Sequence, residues 1–411
     1  MPASPSHAMN LHPSTDSGPP EPSDAVFQAE LAALDTAHLR RRTRRIESAC
    51  GPVVTMAGRP VILMASNDYL GLADHPAVKR AAIDAIATYG VGAGAARLIS
   101  GTQPPHEALE TALAAFKHTE AALCFGSGYL ANLGLITTLA KPGDLILADR
   151  LSHASLLDGC RLSRARFRVF HHADATHLES LLRRRGSVRR TLIVTDGLFS
   201  MDGDVAPLRD LAALARRYEA WLVVDDAHGT GILGPKGRGA LEACGAEADI
   251  PFHMGTLGKA LGTSGAYVVG SSACVQTLLN TARSFLFTTA PPAALSAASL
   301  AALQIVQREP ERRTRLWHNR ERLYDGLTRL GFHLTPTTSP ILPVLIGDPD
   351  RALAFAAALL ERGVYAPAIR PPTVPRGSSR IRLTVTAAHT DTHLDQVLAA
   401  CAEAGRALAI V

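Results

Sequence analysis

Two stretches decide the fold of this chain, LVVDDAHGTGILGPKGRG at residues 222–239 and FHMGTLGKALGTSG at residues 252–265. The short apolar run at 221–224 ends in a carboxylate and then a glycine turn, which predicts a parallel strand covered on both faces. Asp225 then lies at the carboxyl end of that strand, the edge at which open α/β sheets bind ligands. We therefore expect Asp225 and His228, three residues on, to reach one crevice.

Lys259 stands in a loop of small residues, TLGKALG at residues 256–262. With few carboxylates near it in sequence, this lysine is poorly placed for a surface ion pair and well placed for burial. Burial lowers the pKa of an amine and makes it a usable nucleophile and base. The cofactor that combines a covalently bound lysine with an acidic partner for its ring nitrogen is pyridoxal 5'-phosphate (PLP). The alternative is an ordinary solvated lysine, because lysines are mostly exposed.

A second glycine turn indicates an anion site. Gly126, Ser127 and Gly128 follow a predicted strand at 121–125 and open a helical run. Such a turn brings bare backbone N–H groups and the positive end of a helix dipole to a point where an anion can bind. A GSG sequence alone is usually just a turn, so the anion site depends on the rest of the chain.

The composition is that of a globular protein. The chain has 411 residues, 47% of them hydrophobic, and a net charge of +5, so it can bury a large core and form two or more lobes. A nucleic-acid role would need a concentrated basic face, and the sequence has such a cluster only at residues 40–45. The sequence contains neither an apolar run of membrane-spanning length nor the pattern of a signal peptide.

The cysteines and histidines do not indicate a metal site. Six scattered cysteines without a C-x-x-C pair argue against a zinc site and a disulfide framework, and they suit a reducing compartment. His171, His172 and His177 lie close together but lack the fixed spacing of zinc ligands. We therefore expect a cytoplasmic protein without a structural metal.

Strand-like and helical runs alternate from residue 121 to residue 225, which predicts a mainly parallel sheet with helices on both faces. From about residue 310 the pattern becomes that of an α+β lobe. We expect an α/β chain with a disordered extension at 1–24, a helix and connecting segment at 25–65, a large domain at 66–308 and a smaller C-terminal α+β domain at 309–411. The extension is expected because residues 1–24 are rich in proline and serine and have few large apolar side chains.

A helix is predicted from Pro76 to residue 89, with Val78, Ala82 and Ile86 as its buried stripe. A second helix should follow Pro105.

The motifs together resemble those of the α-oxoamine synthases, PLP enzymes of fold-type I that condense an amino acid with an acyl thioester. The resemblance runs from about residue 40 to the C-terminus. It depends on SNDYLGL (66–72), LISGT (98–102), TDGLFSMDGD (195–204), DDAHGTG (225–231) and TLGKALG (256–262). It implies a large PLP-binding domain with a mainly parallel sheet and a smaller C-terminal domain.

The resemblance also implies roles for individual residues. Lys259 would bind PLP, Asp225 would keep the ring nitrogen protonated, and His153 would stack on the ring. The expected catalytic residues are Lys259, His153, Asp225 and His228. The expected cofactor contacts are these four with Gly128, Tyr129, Ser200, Thr256, Thr288 and Thr289, and the expected substrate contacts are Arg40, Asn67, Arg370 and Thr373. Asp196 stands where some relatives have a glutamate, and we attach no change of function to it.

Arg370 stands in the loop AIRPPTVP at residues 368–375, whose prolines fix the backbone and present the arginine in a defined direction. A guanidinium fork fits a carboxylate bidentately, and the resemblance places the carboxylate of the amino-acid substrate here. The alternative is a surface arginine in a turn. The basic cluster that contains Arg40 is either a solvated helix end or a contact for the acyl donor.

Two segments narrow the resemblance further, DRLSHASLLDG (149–159) and AIRPPTVPRGSSRIRLTVTAAHT (368–390). They are most similar to members that condense L-alanine with a pimeloyl thioester, carried on coenzyme A or on acyl carrier protein. Residues 285–292 resemble a segment by which a neighbouring subunit reaches the cofactor phosphate, which implies a homodimer with a shared active site. The alternative for this segment is a strand end before a helix.

Two other functions remain open. One is another synthase of the same family that uses glycine and a different acyl-CoA. The other is a non-catalytic PLP-binding regulator, against which the complete set of Lys259, Asp225 and His228 argues.

Overall fold

The computed structural model describes residues 22–37 and 39–411. The chain forms two compact units, one ending at Arg44 and one running from Arg45 to Val411. The first unit contains helix α1, Pro22–Thr36, with Asp24 in its first turn, where the helix dipole favours a negative charge. The helix thus begins three residues earlier than expected, inside the extension predicted to be disordered, and residues 1–21 lie outside the described residues.

The second unit contains the sheets and the remaining helices. Its strands are β1 Val53–Met56, β2 Arg59–Leu63, β3 Ala121–Phe125, β4 Leu145–Asp149, β5 Arg166–Phe170, β6 Thr191–Asp196, β7 Trp221–Asp225, β8 Phe252–Thr256, β9 Ala266–Gly270, β10 Ile341–Gly347, β11 Val364–Tyr365, β12 Ala368–Ile369 and β13 Ser379–Thr384. Its α-helices are α2 Pro76–Tyr89, α3 Pro104–Phe116, α4 Gly128–Leu139, α5 Ala154–Leu162, α6 Ala175–Arg183, α7 Leu208–Arg217, α8 Ala240–Cys244, α9 Ser272–Thr281, α10 Arg283–Leu286, α11 Ala293–Arg308, α12 Glu311–Arg329, α13 Pro349–Glu361 and α14 Asp391–Ala407.

The largest sheet has seven strands in the order β3-β9-β8-β7-β6-β4-β5. The neighbours from β8 to β5 are parallel, and β9 is antiparallel to both β3 and β8. The mainly parallel sheet expected from the sequence is therefore confirmed. Strand β7 lies at its centre, and Leu222, Val223 and Val224 are completely buried because helices cover both faces.

Two smaller sheets involve the C-terminal part of the chain. Strands β10, β13 and β12 form an antiparallel sheet, as an α+β lobe requires. The hairpin β1–β2 was not expected, and β2 pairs in parallel with β11. The segment before residue 66 therefore joins the C-terminal lobe through a sheet. Residues 45–411 form one compact unit, and the domain boundaries at 66 and 309 stay predictions.

Helix α2 has the predicted length, but only part of its predicted stripe is buried. Val78 is buried and Ala82 packs half-buried against the core, as predicted, whereas Ile86 is 42% exposed and Ala85 is buried instead, so the prediction was wrong for Ile86. The reason is that α2 packs against α11, which the spacing of apolar residues within α2 cannot specify. The segment at 285–292 is not a strand end either, because it begins within the short helix α10.

The six cysteines, all among the described residues, are free thiols. In the part of the chain that the structure describes, none of the helices has the length and hydropathy that crossing a membrane requires.

Candidate active site

Three acidic side chains lie at the carboxyl edge of the large sheet. Asp149, Asp196 and Asp225 are the last residues of β4, β6 and β7, and Asp196 pairs with Asp225 across neighbouring strands. All three are buried. Because parallel strands end at the same edge, these carboxylates lie at the edge of the sheet where the sequence predicts a ligand.

The carboxylate of Asp225 has two fixed donors. Asn132 Nδ2 lies 2.7 Å from Oδ2, and the backbone N of Ala227 lies 2.9 Å from Oδ1. Asn132, on α4, also donates to Ser155 Oγ at 2.9 Å. Asn132 was not among the residues expected from the sequence. The feature that could have identified Asn132 is an amide side chain within the apolar run LANLGLITTLA, because a buried amide needs hydrogen-bond partners.

Lys259 is half-buried in the loop between β8 and β9. Burial lowers the pKa of Lys259, while the negative charges of Asp225 and Asp196 act in the opposite direction. The loop packs directly on the chain after SNDYLGL, where a Cβ at Gly262 would collide with the backbone of Ala73. The lowered pKa agrees with the prediction from the small-residue loop, and it makes the amine available as nucleophile and base.

His228 is buried beside the Lys259 loop. Burial lowers the pKa of His228 well below its ordinary value, and the positive charges of Lys259 and Arg382 act in the same direction. The hydroxyl of Tyr69 lies 2.7 Å from His228 Nδ1, and Tyr69 is completely buried. Tyr69 was not expected to have a role, although it stands within SNDYLGL. The imidazole of His228 is therefore driven toward its neutral form, and a phenol 159 residues away in sequence fixes its orientation.

His153 precedes α5 and caps it. Its ring Nδ1 lies 2.7 Å from Ser155 Oγ, and its backbone N donates to Asp196 Oδ1 at 3.0 Å. Burial lowers the pKa of His153, and the charge of Asp225 opposes that shift, although the side chain keeps contact with solvent. His153, Asp196 and Asp225 thus meet at one point of the sheet edge.

The residues of the predicted anion site lie at the N-terminus of α4. Ser127 caps this helix by accepting a hydrogen bond from the backbone N of Leu130 at 3.2 Å. A Cβ at Gly128 would lie 2.9 Å from Thr256 Cγ2, so the two predicted cofactor residues lie in close contact. Tyr129 is 43% exposed and donates its hydroxyl proton to Asp158 at 2.6 Å. The open helix N-terminus beside Thr256 fits a phosphate group.

Arg370 follows β12 and is half-buried, and its carbonyl oxygen accepts a hydrogen bond from the backbone N of Thr373 at 3.1 Å. Asn67 lies in the same compact unit, where its Oδ1 accepts from the guanidinium of Arg382 at 3.2 Å. Arg382 was not expected from the sequence. Its Nε also donates to the carbonyl oxygen of Ser200 at 2.6 Å, so it links the C-terminal lobe to two predicted site segments.

The roles predicted for Arg40, Thr288 and Thr289 rest on the resemblance of the motifs. Arg40 belongs to the first unit, where it forms an ion pair with Asp35 at 2.6 Å. Thr288 is half-buried and Thr289 is exposed in the loop between α10 and α11. Their roles stay predictions.

The residues of the crevice fit PLP group by group. Lys259 offers an amine of lowered pKa for the aldehyde carbon, and Asp225 offers a firmly held carboxylate for the ring nitrogen. Gly128 leaves the N-terminus of α4 open for the phosphate. No single feature requires PLP, but an amine, a carboxylate and an anion site at one sheet edge match its three functional groups.

Known proteins of similar sequence and fold support the assignment of PLP as the cofactor. The family model Aminotransferase class I and II matches residues 59–400. The 8-amino-7-oxononanoate synthase of Anaeromyxobacter dehalogenans is 52% identical over 374 residues, which cover 91% of this chain and 94% of that protein. Serine palmitoyltransferase from S. paucimobilis, solved with PLP and myriocin bound, is 33% identical with a TM-score of 0.90 over 95% of this chain and 99% of its own.

A solved 8-amino-7-oxononanoate synthase from Francisella tularensis is 27% identical, with a TM-score of 0.72 over 84% of this chain and 98% of its own. On the family model and the sequence identity, the chain belongs to the aminotransferase class I and II family and, within it, to the 8-amino-7-oxononanoate synthases.

Proposed function

We propose that this protein is a PLP-dependent acyltransferase that condenses L-alanine with a pimeloyl thioester to 8-amino-7-oxononanoate, a step of biotin biosynthesis. Carbon dioxide and the free thiol are the other products. The observation that carries the proposal is the placement of Asp225 at the end of β7 and of Lys259 just after the neighbouring parallel strand β8, in a chain 52% identical to a relative named for this product.

PLP, when bound, supplies a ring that accepts the electron pair left behind when a bond to the alanine Cα breaks. Lys259 would hold the cofactor covalently until alanine takes its place, and the freed amine, whose pKa is lowered, would then take the proton from Cα. Asp225 keeps a proton on the pyridine nitrogen. The alanine Cα would then form its bond to the thioester carbonyl carbon as the bond from that carbon to sulfur breaks and the thiol leaves. The alanine carboxylate would depart as carbon dioxide, and Cα would take up a proton in its place.

His153 and His228 orient the ring in this proposal. His153 is held at the crevice through its backbone by Asp196, and we assign it to the face of the ring. His228 has its Nδ1 occupied by Tyr69, so we assign its Nε2 to the phenolic oxygen. In the neutral form of the imidazole, a Tyr69 hydroxyl that donates to Nδ1 leaves the proton of His228 on Nε2.

Gly128, Thr256 and Tyr129 belong to the phosphate end of the site in this proposal, and Ser200 belongs to the segment beside the ring. The carboxylate of alanine is assigned to Arg370, with Asn67 and Thr373 beside it. Arg40 is assigned to the acyl donor, which is carried on coenzyme A or on acyl carrier protein. These assignments are supported by the resemblance of the motifs and by the clustering of Asn67 with Arg382 and Ser200.

We further propose a homodimer in which Thr288 and Thr289 reach the phosphate of the neighbouring subunit. Exposed apolar side chains support this proposal. Phe287, directly before Thr288, is 73% exposed, and Val91 and Ile99, in the segment between α2 and α3, are 79% and 81% exposed. Such exposure is costly unless another surface covers it. The free thiols favour a reducing compartment such as the cytoplasm.

The test is to incubate the purified, PLP-loaded protein with L-alanine and pimeloyl-CoA. We expect 8-amino-7-oxononanoate by mass spectrometry and one free thiol per product molecule. Glycine replaces alanine in a parallel reaction with the same acyl donor. Turnover with glycine alone would favour another synthase of the family, and the absence of turnover with pimeloyl-CoA or pimeloyl-acyl carrier protein would contradict the proposal.

A further inference from the structure

Lys117 is a buried lysine that the proposed mechanism does not use. It follows α3, and its side chain is 1% exposed. Its ammonium contacts three acceptors: Asp226 Oδ2 at 3.1 Å, Thr230 Oγ1 at 3.0 Å and the carbonyl oxygen of Arg238. An ammonium group has three N–H donors, so this one is fully satisfied inside the protein.

Asp226 is as enclosed as its partner. Its side chain is 0% exposed, its Oδ1 accepts from the backbone N of Ala240 at 3.0 Å, and its own backbone N donates to the carbonyl oxygen of Met254 at 2.9 Å. A Cβ at Gly229 or Gly239 would collide with this carboxylate. The two glycines therefore let the backbone close around Asp226.

The Lys117–Asp226 pair fixes the turn that follows β7. Asp226 comes directly after Asp225, and its carbonyl oxygen accepts from the backbone N of Thr230 at 3.1 Å, which closes the turn around His228. Lys117 bonds to side chains at both ends of that turn, Asp226 and Thr230. The position of His228 in the crevice therefore depends on contacts that Lys117 makes.

Charge gives a second reason for the pair. Asp225 and Asp226 are adjacent and both buried, and a carboxylate without a partner in such surroundings takes up a proton or moves toward water. Lys117 neutralises Asp226. Of the two adjacent aspartates, Asp225 is the one whose carboxylate bonds to Asn132 at the sheet edge.

We infer that Lys117 is a positioning residue: through Asp226 and Thr230 it holds the 225–231 turn so that Asp225 and His228 meet PLP correctly. Lys117 touches no reacting atom. The inference rests on the proposed function, because the proposed function assigns Asp225 and His228 to the cofactor.

A double-mutant cycle tests it with Lys117→Met, Asp226→Asn and the combined variant. The dissociation constant of PLP is measured on the apoprotein by fluorescence titration, at a temperature at which every variant is folded. The kcat per bound PLP and the KM for L-alanine are measured under the same conditions. These readouts separate the geometry of the site from the stability of the fold.

Each single variant should raise the PLP dissociation constant and lower kcat per bound PLP by about tenfold or more, with KM for L-alanine changed by less than about twofold. The combined variant should lose about as much as the worse single variant and far less than the two losses added together, because both substitutions break the same contact. Unchanged PLP affinity and kcat in variants that only melt earlier would overturn the inference, as would strictly additive losses in the cycle.

Two milder substitutions keep the inference testable if Lys117→Met does not fold. Thr230→Val removes one acceptor of Lys117, and Tyr267→Phe removes the hydroxyl 3.0 Å from Thr230 Oγ1. Both should weaken PLP binding in the same direction by a smaller factor, and wild-type affinity in both would overturn the inference. The unmodified protein is assayed alongside: if it forms no product, the proposed function fails, whereas the PLP titrations still decide the role of Lys117.

Discussion

Asp196 and Asp225 lie directly opposite each other at the ends of β6 and β7, and both carboxylates are buried. Burial and the neighbouring charge of Asp225 raise the pKa of Asp196 well above its ordinary value. Asp225 has two donors of its own, from Asn132 and the backbone of Ala227. Two carboxylates on adjacent strands therefore have different chemistry, since Asp196 is driven toward its neutral form.

Asp225→Asn should lower kcat by several orders of magnitude while PLP remains bound. The substitution keeps the shape of the side chain but removes the charge that holds a proton on the ring nitrogen, and each tenfold loss corresponds to about 1.4 kcal/mol of barrier. Single-turnover rates check this. Asp196→Asn is the matched control and should cost much less, because Asp196 is already driven toward the neutral form. Equal losses in the two variants would show that Asp225 has no special role.

Lys259→Ala should abolish the condensation and still allow PLP to bind without a covalent bond, because Asp225, His228 and the α4 N-terminus remain. Mass spectrometry of the borohydride-treated protein should show a cofactor adduct in the wild type and none in the variant. The control is Lys236→Ala, at an exposed lysine, which should leave both readouts unchanged. Full activity of Lys259→Ala would remove the central assignment.

Arg370→Lys should raise the KM for L-alanine much more than that for the pimeloyl thioester. A point charge cannot replace a guanidinium fork that binds a carboxylate through two parallel hydrogen bonds. Arg376→Lys, in the same proline-rich loop but exposed, is the control and should change neither constant. If the alanine KM is untouched in Arg370→Lys, the carboxylate is bound elsewhere.

Gly128→Ala should weaken PLP binding by about tenfold or more, because the added Cβ would lie 2.9 Å from Thr256 Cγ2 and push into the phosphate site. Gly126→Ala is a matched control two residues away, where the added Cβ meets only Leu130 Cδ1 at an ordinary 3.7 Å. Titration of both apoproteins with PLP decides the comparison. Equal affinities would place the phosphate away from this turn.

Because of His172, the free energy of unfolding should decrease as the pH becomes alkaline. Burial lowers the pKa of His172, but its bonds to Asp149 and Asp204 at 3.1 and 2.9 Å outweigh this and raise the pKa to about 10. A group whose pKa is raised on folding stabilises fully below its unfolded pKa of about 6.5 and loses that contribution as pH rises through about 10.

Urea unfolding of the wild type and His172→Gln isolates this contribution. The difference in unfolding free energy should be a few kcal/mol at most at pH 6 and should shrink toward pH 10.5. A difference that stays constant with pH would mean that the imidazole is not charged in the folded protein.

Local sequence was sufficient to predict those features whose sequence pattern lies within one helix, strand or turn. The strand before Asp225, the second helix near Pro105 and the glycine turn before α4 were all predicted, because apolar runs, periodicity and glycine turns are properties of short segments. The face of α2 could not be predicted in the same way. Ile86 fits an amphipathic stripe, yet it is exposed, because the packing of α2 on α11 selects the side of the helix that is buried.

What the sequence by itself determined is the chemistry of the chain: a lysine among small residues, a carboxylate at a strand end and a glycine turn before a helix together indicate PLP. What only the tertiary structure decided is how these groups are held. Tyr69 is 159 residues from His228, Asn132 is 93 from Asp225, and Lys117 is 109 from Asp226. The physical reason is that a buried polar group must find a partner wherever the fold brings one, and hydrophobic periodicity carries no information about which distant element arrives there.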